Sequence, residues 1–214
     1  MYRSETRPYW NTNVARHRGI LRAVPAGCRA ALDVGCGDGL LAWKLAARAG
    51  RVLGVDASPV MIAAARERAG GAAGPEFVEG DFLAVEDARL PVGGFDFVCS
   101  VTAIHHLDFE PALVRMRELL RPGGVLVVVG LAREQSVADW ALLVAAAPLV
   151  RAVKVLRRAG GPEGMPVAEA RMSYAEVRAA ARRLLPGVRY RRHVLRRYSL
   201  TWVKPGGQGP GVRP

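Results

Sequence analysis

Residues 31–41 read ALDVGCGDGLL. An apolar run, AALDVG (30–35), passes into alternating glycines at 35, 37 and 39. It continues into LLAWKLAARAG (40–50), whose apolar positions recur at helical spacing and which Gly50 is expected to close. A strand, a glycine turn and a helix in that order form the first unit of an open α/β sheet with a ligand at the turn. The usual guest is a pyrophosphate, and two features oppose one here. The dinucleotide fingerprint places its third glycine where this chain has Leu40, and Asp38 would face a dianion. A cationic nucleoside tolerates that carboxylate.

The pattern repeats outward from the turn. RVLGVD (51–56), EFVEG (76–80), FDFVCSV (95–101) and VLVVVGL (125–131) read as further strands. The strands near 30, 52 and 125 are apolar almost throughout, as in a parallel sheet covered on both faces. Between them lie helices at 58–69, with Ser58 as N-cap and Pro59 at the first helical position, and at 109–120, ended by RPGG. NVARHRGILRAV (13–24) reads as a helix before the sheet. A further helix is expected at 137–158, kinked at Pro148, followed by a loop at 159–166. Another spans 173–185, with Ser173 and Glu176 at capping-box spacing and Pro186-Gly187 as its stop. VRYRRHVLRRYSLTWV (188–203) suits two antiparallel strands. The expected fold is a doubly wound, mostly parallel seven-stranded α/β sheet with an antiparallel C-terminal strand. One domain is expected over 1–204, with 1–27 as an N-terminal helix segment and 205–214 as a flexible tail.

Composition narrows the class. At 214 residues and 50% hydrophobic, one domain of ordinary size can bury a full core. There is no run of eighteen apolar residues, and MYRSETRPYW is not a basic-then-apolar leader, so a soluble cytoplasmic protein without an integral membrane segment is expected. Cys28, Cys36 and Cys99 are odd in number and lack metal-type spacing, so neither disulfide nor metal is expected. The net charge of +12 is uneven. Residues 1–150 hold sixteen basic and sixteen acidic side chains, whereas 151–214 hold fifteen basic and three acidic. Either this is a solvated basic face, or it meets an anionic substrate, membrane surface or nucleic acid. Strand alternation separates Arg191 and Arg197 from Arg192 and Arg196. A diffuse positive surface is therefore expected, without a specific nucleic-acid partner.

Five stretches in register resemble the class I S-adenosylmethionine-dependent methyltransferases. They are LDVGCGDG (32–39), VLGVDAS (52–58), VEGDFL (78–83), FDFVCSVTAIHHL (95–107) and LLRPGGVLVVV (119–129). The chain is most similar to the small, single-domain type that methylates small molecules. The resemblance implies S-adenosylmethionine as cofactor and S-adenosylhomocysteine as product. It implies that Gly35, Cys36 and Gly37 approach the methionine portion and that Asp33 orients its amino group. Asp56 would accept the ribose hydroxyls, with Ala57 and Met61 on the adenine face. Asp81 and the Phe82 backbone would meet the adenine edge, and Ser100 and Val101 would bring a backbone carbonyl to the methionine ammonium.

His105 and His106 follow the fourth strand, where the transferable methyl would point, and are the candidate catalytic bases. The resemblance implies that the N-terminal segment 1–27 folds over the cofactor as a lid, which makes Tyr9, Trp10, Asn13 and His17 the candidate substrate-side residues. No NPPY-like run follows the fourth strand, so the base-amino methyltransferase motif is absent. The expected reaction is methyl transfer to an O-, N- or C-nucleophile of a small molecule, lipophilic or anionic, in specialised metabolism. The alternatives are a nucleic-acid methyltransferase, an interfacial or partner-binding role for the apolar-to-basic stretch 140–158, and a cofactor-binding homologue that does not methylate.

Overall fold

A computed structural model describes residues 9–70, 74–133, 144–145, 147–148, 151–153, 155–158, 160–161, 169–193 and 196–206. Its elements are α1 (Val14–Ala23), β1 (Ala30–Val34), α2 (Leu40–Leu45), β2 (Arg51–Asp56), α3 (Pro59–Ala69), β3 (Glu76–Glu79), β4 (Phe95–Val101), a 3-10 turn (Ile104–His106), α4 (Phe109–Leu119), β5 (Leu120–Leu131), α5 (Tyr174–Leu184), β6 (Arg189–Arg192) and β7 (Arg197–Val203). The seven strands lie in the order β3-β2-β1-β4-β5-β7-β6. β1 to β5 run parallel, β7 pairs antiparallel with β5, and β6 closes the edge against β7.

The chain builds outward from β1 to β2 and β3, then returns to the other side of β1 for β4 and β5. That reversal opens a crevice between the C-terminal ends of β1 and β4. Two layers cover the sheet. On one face, Leu32, Val98 and Val128 meet Leu113 and Met116 of α4 and Val177 and Ala181 of α5. On the other, Ala31, Phe97 and Val127 meet Ile20 of α1, Leu45 of α2 and Ile62 of α3. Local signals act as read. Ser58 Oγ accepts from Met61 N ahead of Pro59, and α5 carries a complete Ser173–Glu176 capping box.

Three local readings change. α2 ends at Leu45 instead of running to Gly50, because Gly50 N and Arg51 N already donate to Cys28 O and Arg29 O as the chain enters the sheet. RPGG stops α4 but lies inside β5: Phe95 pairs with Leu120 and Phe97 with Val125, so the extra residues form an irregularity in the ladder. The basic hairpin is not a uniform surface. Arg191 and Arg192 are exposed on the edge strand, with the Arg192 guanidinium 4.0 Å above the Tyr174 ring, whereas Arg197 is turned inward and buried.

Within the predicted helix 137–158, the described residues from 144 to 156 are helical. Pro148 is itself helical, and Arg157 and Arg158 form a turn; residues 137–143, 146, 149–150 and 154, and with them the predicted kink after Pro148, most of the loop 159–166 and the tail from 207 lie outside the described residues. Among the described residues no helix is long and apolar enough to cross a membrane.

Candidate active site

The crevice holds a cavity of about 520 Å³. Its floor is the turn after β1, its sides are the ends of β2 and β4, and Tyr9, Asn13 and His17 cover it. The glycines of the turn serve different ends. Gly35 has φ +70°, and a Cβ there would lie 2.1 Å from Cβ of Ala103, so its bareness is required by the protein's own 3-10 turn. Gly37 has φ +53°, and a Cβ there would meet no atom of the described residues within 4 Å. Gly37 also lines the cavity, so the space its missing side chain leaves is open to a ligand.

Asp56 ends β2 and fastens the turn. Its Oδ2 accepts from Gly37 N at 2.8 Å and its Oδ1 from Ser58 N at 2.9 Å. A carboxylate offers about four lone-pair sites, so two backbone donors leave acceptor capacity toward the cavity. Ala57, Ser58 and Met61 continue that wall, and the buried Phe82 reaches it from beyond β3.

Asp38, the carboxylate that made the turn unusual, is buried but not bare. Arg68 of α3 grips it twice, through a guanidinium–carboxylate contact and through Nε to the Asp38 carbonyl at 2.9 Å. Tyr9 donates its hydroxyl to Asp38 Oδ1 at 3.1 Å. The cation that tolerates Asp38 thus comes from the chain itself.

Asp33 is buried among β1, β2 and β4. Its Oδ1 accepts a thiol hydrogen bond from Cys99 at 3.5 Å, while Oδ2 has no partner among the described residues. Burial, reinforced by Asp56 and Asp38 and opposed by the Cys99 bond, raises its carboxyl to about 7. A buried carboxylate oxygen without a donor, on the wall of a cavity, suits an ammonium group. With the open space at Gly37, this makes the site fit the amino-acid end of S-adenosylmethionine.

Past β4 the backbone turns sharply. Thr102 adopts φ +54°, its N–H donates to Val129 O, and the 3-10 turn presents His105 and His106, whose ring centroids are 4.3 Å apart. Both rings line the cavity. Above them, Asn13 Oδ1 accepts from Thr102 Oγ1 at 3.0 Å and from the Arg197 guanidinium at 2.6 Å, and Arg197 also reaches Thr12 Oγ1 at 2.9 Å. His17 is buried with Nδ1 3.3 Å from Lys44 Nζ; burial first, then the Lys44 charge, lowers it to about 3. It is therefore a neutral imidazole at physiological pH.

Most of the sequence-predicted residues converge here: Asp33, Gly35, Cys36, Gly37, Asp56, Ala57, Met61, Phe82, Val101, His105, His106, Tyr9, Asn13 and His17 all line the cavity. Three do not. Asp81 is exposed and caps its own turn through Leu83 N at 2.9 Å. The buried Ser100 alternates with Val101, so its side chain faces the opposite side of β4, which leaves its expected backbone role untouched. Trp10 lies beside Arg157, whose guanidinium is 5.7 Å from its ring centroid. Sequence reasoning missed Arg68, Thr102 and Arg197. Neither helical spacing nor strand alternation marks a distant arginine as the partner of a turn.

An edge of this kind defines a Rossmann-like, cofactor-binding α/β domain. Residues 31–124 match the family model described as a methyltransferase domain. An uncharacterized methyltransferase of Mycobacterium tuberculosis is 34% identical over 203 residues, spanning 92% of this chain and 98% of that one. A ubiquinone biosynthesis O-methyltransferase of Sinorhizobium fredii is 34% identical over 117 residues, 53% of this chain and 46% of its own length. The fold is similar to that of Haemonchus contortus phosphoethanolamine N-methyltransferase 2 in complex with S-adenosyl-L-methionine: the TM-score is 0.62 at 19% identity, over 92% of this chain and 53% of that one. The chain belongs to the class I S-adenosylmethionine-dependent methyltransferases. It is an enzyme of that type, with S-adenosylmethionine as its cofactor.

Proposed function

We propose that the protein methylates a small-molecule acceptor at the mouth formed by His105 and His106. The observation that carries this reading is the single cavity that joins the Gly37 opening, the Asp33 and Asp56 carboxylates and both histidines. When bound, the cofactor supplies an electrophilic methyl on a sulfonium sulfur. Gly37 admits its methionine portion, Asp33 holds the ammonium, and Asp56 accepts the ribose hydroxyls with the acceptor capacity its two backbone donors leave. Ala57, Met61 and Phe82 pack the adenine, with the backbone beside Asp81 and Phe82 at its edge. Ser100 and Val101 turn backbone toward the amino-acid end, beside Cys36. Tyr9, Asn13 and His17 form a roof that excludes water. The similarity to a ubiquinone-pathway O-methyltransferase supports a small, ring-bearing acceptor.

Calorimetry with S-adenosylhomocysteine tests the cofactor half. Binding is expected, and Asp56→Ala is expected to weaken it about tenfold or more through lost charge-assisted bonds. The pH dependence has a definite sign. In the free protein Asp33 keeps its proton up to about pH 7. A ligand ammonium must expel that proton at lower pH. Affinity should therefore fall by up to about tenfold for each pH unit below 7, and level off above it. The same group acts on folding in the opposite sense: stability at this site is highest near pH 4 and declines as pH rises to 7, because the unfolded carboxyl ionises first. Calorimetry that finds no binding, or a pH-independent affinity, contradicts these assignments.

The histidines are assigned to the chemical step. In an assay of S-adenosylhomocysteine release with a phenolic acceptor, alanine at the operative histidine should lower turnover on the order of 10²-fold. Cofactor affinity should stay nearly constant. Full turnover in both single variants and the double variant would remove them from the mechanism.

A further inference from the structure

Eight large apolar side chains are exposed among the described residues, and four of them, Val144, Val153, Val155 and Leu156, fall in the helical stretch 144–156. The other four stand singly on α2, α3, β7 and the loop before β4, as surface hydrophobics ordinarily do. Val155 and Leu156 are 72% and 82% exposed, so neither is packed on the domain. Arg151, Arg157 and Arg158 are exposed in the same stretch. Between Asp139 and Glu163 the chain carries four basic side chains and no acidic one. The far end of the stretch lies against Trp10: Gly160 N donates to Trp10 O at 3.0 Å, and the Arg157 guanidinium is 5.7 Å from the Trp10 ring centroid. Trp10 adjoins Tyr9, which covers the cofactor cavity.

Charge and apolar surface together select the partner. Guanidinium groups in a stretch without acidic residues attract anions, and their planar forks suit phosphate oxygens. Nucleic acid supplies phosphates, but it rewards aromatic stacking, and no aromatic residue occurs from 141 to 161. It would also leave Val155 and Leu156 in water. A phospholipid surface satisfies both sets of side chains. Arginines reach the headgroup phosphates while short apolar groups enter the acyl boundary. No described helix is long and apolar enough to cross a membrane, so contact of this kind lies in the interface.

We infer that the exposed apolar and basic residues of 144–158 dock the protein on an anionic phospholipid bilayer, with Val155 and Leu156 entering the interface and Arg151, Arg157 and Arg158 on the headgroup phosphates. None of these residues lines the cofactor cavity, so docking goes beyond the proposed function and does not depend on it. The full chain is sedimented at physiological ionic strength with vesicles of phosphatidylcholine alone, and of equal parts phosphatidylcholine and phosphatidylglycerol. Binding to the anionic vesicles is expected at about 1 mM lipid or below, and about tenfold weaker binding to the neutral ones. Val155→Asp combined with Leu156→Asp should weaken it about tenfold or more, while S-adenosylhomocysteine affinity stays within about twofold. Leu156→Asp alone, at the more exposed position, should act in the same direction if the pair fails to fold. Arg178→Ala combined with Arg182→Ala removes the same charge from exposed positions on α5 and should leave binding within about threefold. Docking at this stretch is overturned if the wild type does not sediment with anionic vesicles at about 1 mM lipid, or if the folded Val155 and Leu156 variants bind as the wild type does. It is equally overturned if the α5 variant loses as much, since the attraction would then be one of diffuse charge. Capture by a short RNA duplex in place of vesicles would assign the stretch to nucleic acid instead. Failure of S-adenosylhomocysteine to bind the wild type would overturn the proposed function and leave docking standing.

Discussion

Gly35→Val is expected to lose both stability and cofactor binding, whereas Gly37→Ala loses chiefly the second. At Gly35 any Cβ falls 2.1 Å from Cβ of Ala103, and the backbone sits at φ +70°. The left-handed conformation alone costs a non-glycine residue about 1–2 kcal/mol. Displacing the packed turn adds about 1–3 kcal/mol. A β-branched side chain meets both penalties at their upper end. The sum is a large share of the roughly 5–15 kcal/mol that separates folded from unfolded domains. Relief requires Ala103 to move, and His105 and His106 follow it in the same turn. At Gly37, by contrast, φ is +53° with no atom of the described residues in the way. Gly37→Ala should cost about 1–2 kcal/mol in urea unfolding, yet reduce S-adenosylhomocysteine affinity sharply. Similar unfolding midpoints and similar affinities for the two variants would contradict the distinct roles of these glycines.

Arg68→Met should destabilise the fold by about 3–5 kcal/mol, the cost of breaking a buried ion pair by removing one partner. The Arg68 and Asp38 side chains are 11% and 6% exposed, so water does not take the place of the lost guanidinium. The carboxylate would remain beside Asp33, whose proton affinity Asp56 and Asp38 already raise. The double variant Arg68→Met, Asp38→Asn should recover much of the loss, because no charge is then stranded. Urea unfolding of the two variants beside the wild type reads both effects. A single variant with a wild-type midpoint would show that the pair is energetically idle.

The elements that position the site were legible in the sequence because each leaves a local mark. Continuous apolar runs gave the parallel strands, Ser58-Pro59 and Ser173–Glu176 gave helix starts, and the spacing of Gly35, Gly37 and Gly39 located the turn. What could not be read depends on partners far along the chain. The glycine spacing does not reveal that Gly35 is bare against Ala103 whereas Gly37 faces open space, since that distinction needs the 3-10 turn in place. The charge of Asp38 invited a cationic ligand, but Arg68, thirty residues on, answers it. The C-terminal arginines read as one basic stretch, yet pairing of Leu131 with Arg197 puts one of them beneath the N-terminal segment. α2 and RPGG show the converse: glycine marks a break, but the neighbouring strand decides whether that break lies in a loop or within the sheet.

The bonds from Arg197 to Thr12 and Asn13 join positions 185 and 184 residues apart. They therefore form late in synthesis relative to the turn itself. A chain emerging from the ribosome has the glycine turn, Asp56 and both histidines outside the exit tunnel long before β7 has been translated. Until then Thr12 and Asn13 lack the guanidinium that ties them to the sheet. Domains generally fold as units. Here the roof is fastened in two stages: Tyr9 and His17 can meet Asp38 and Lys44 once α2 has been made, whereas Thr12 and Asn13 are tied down only after β7 follows.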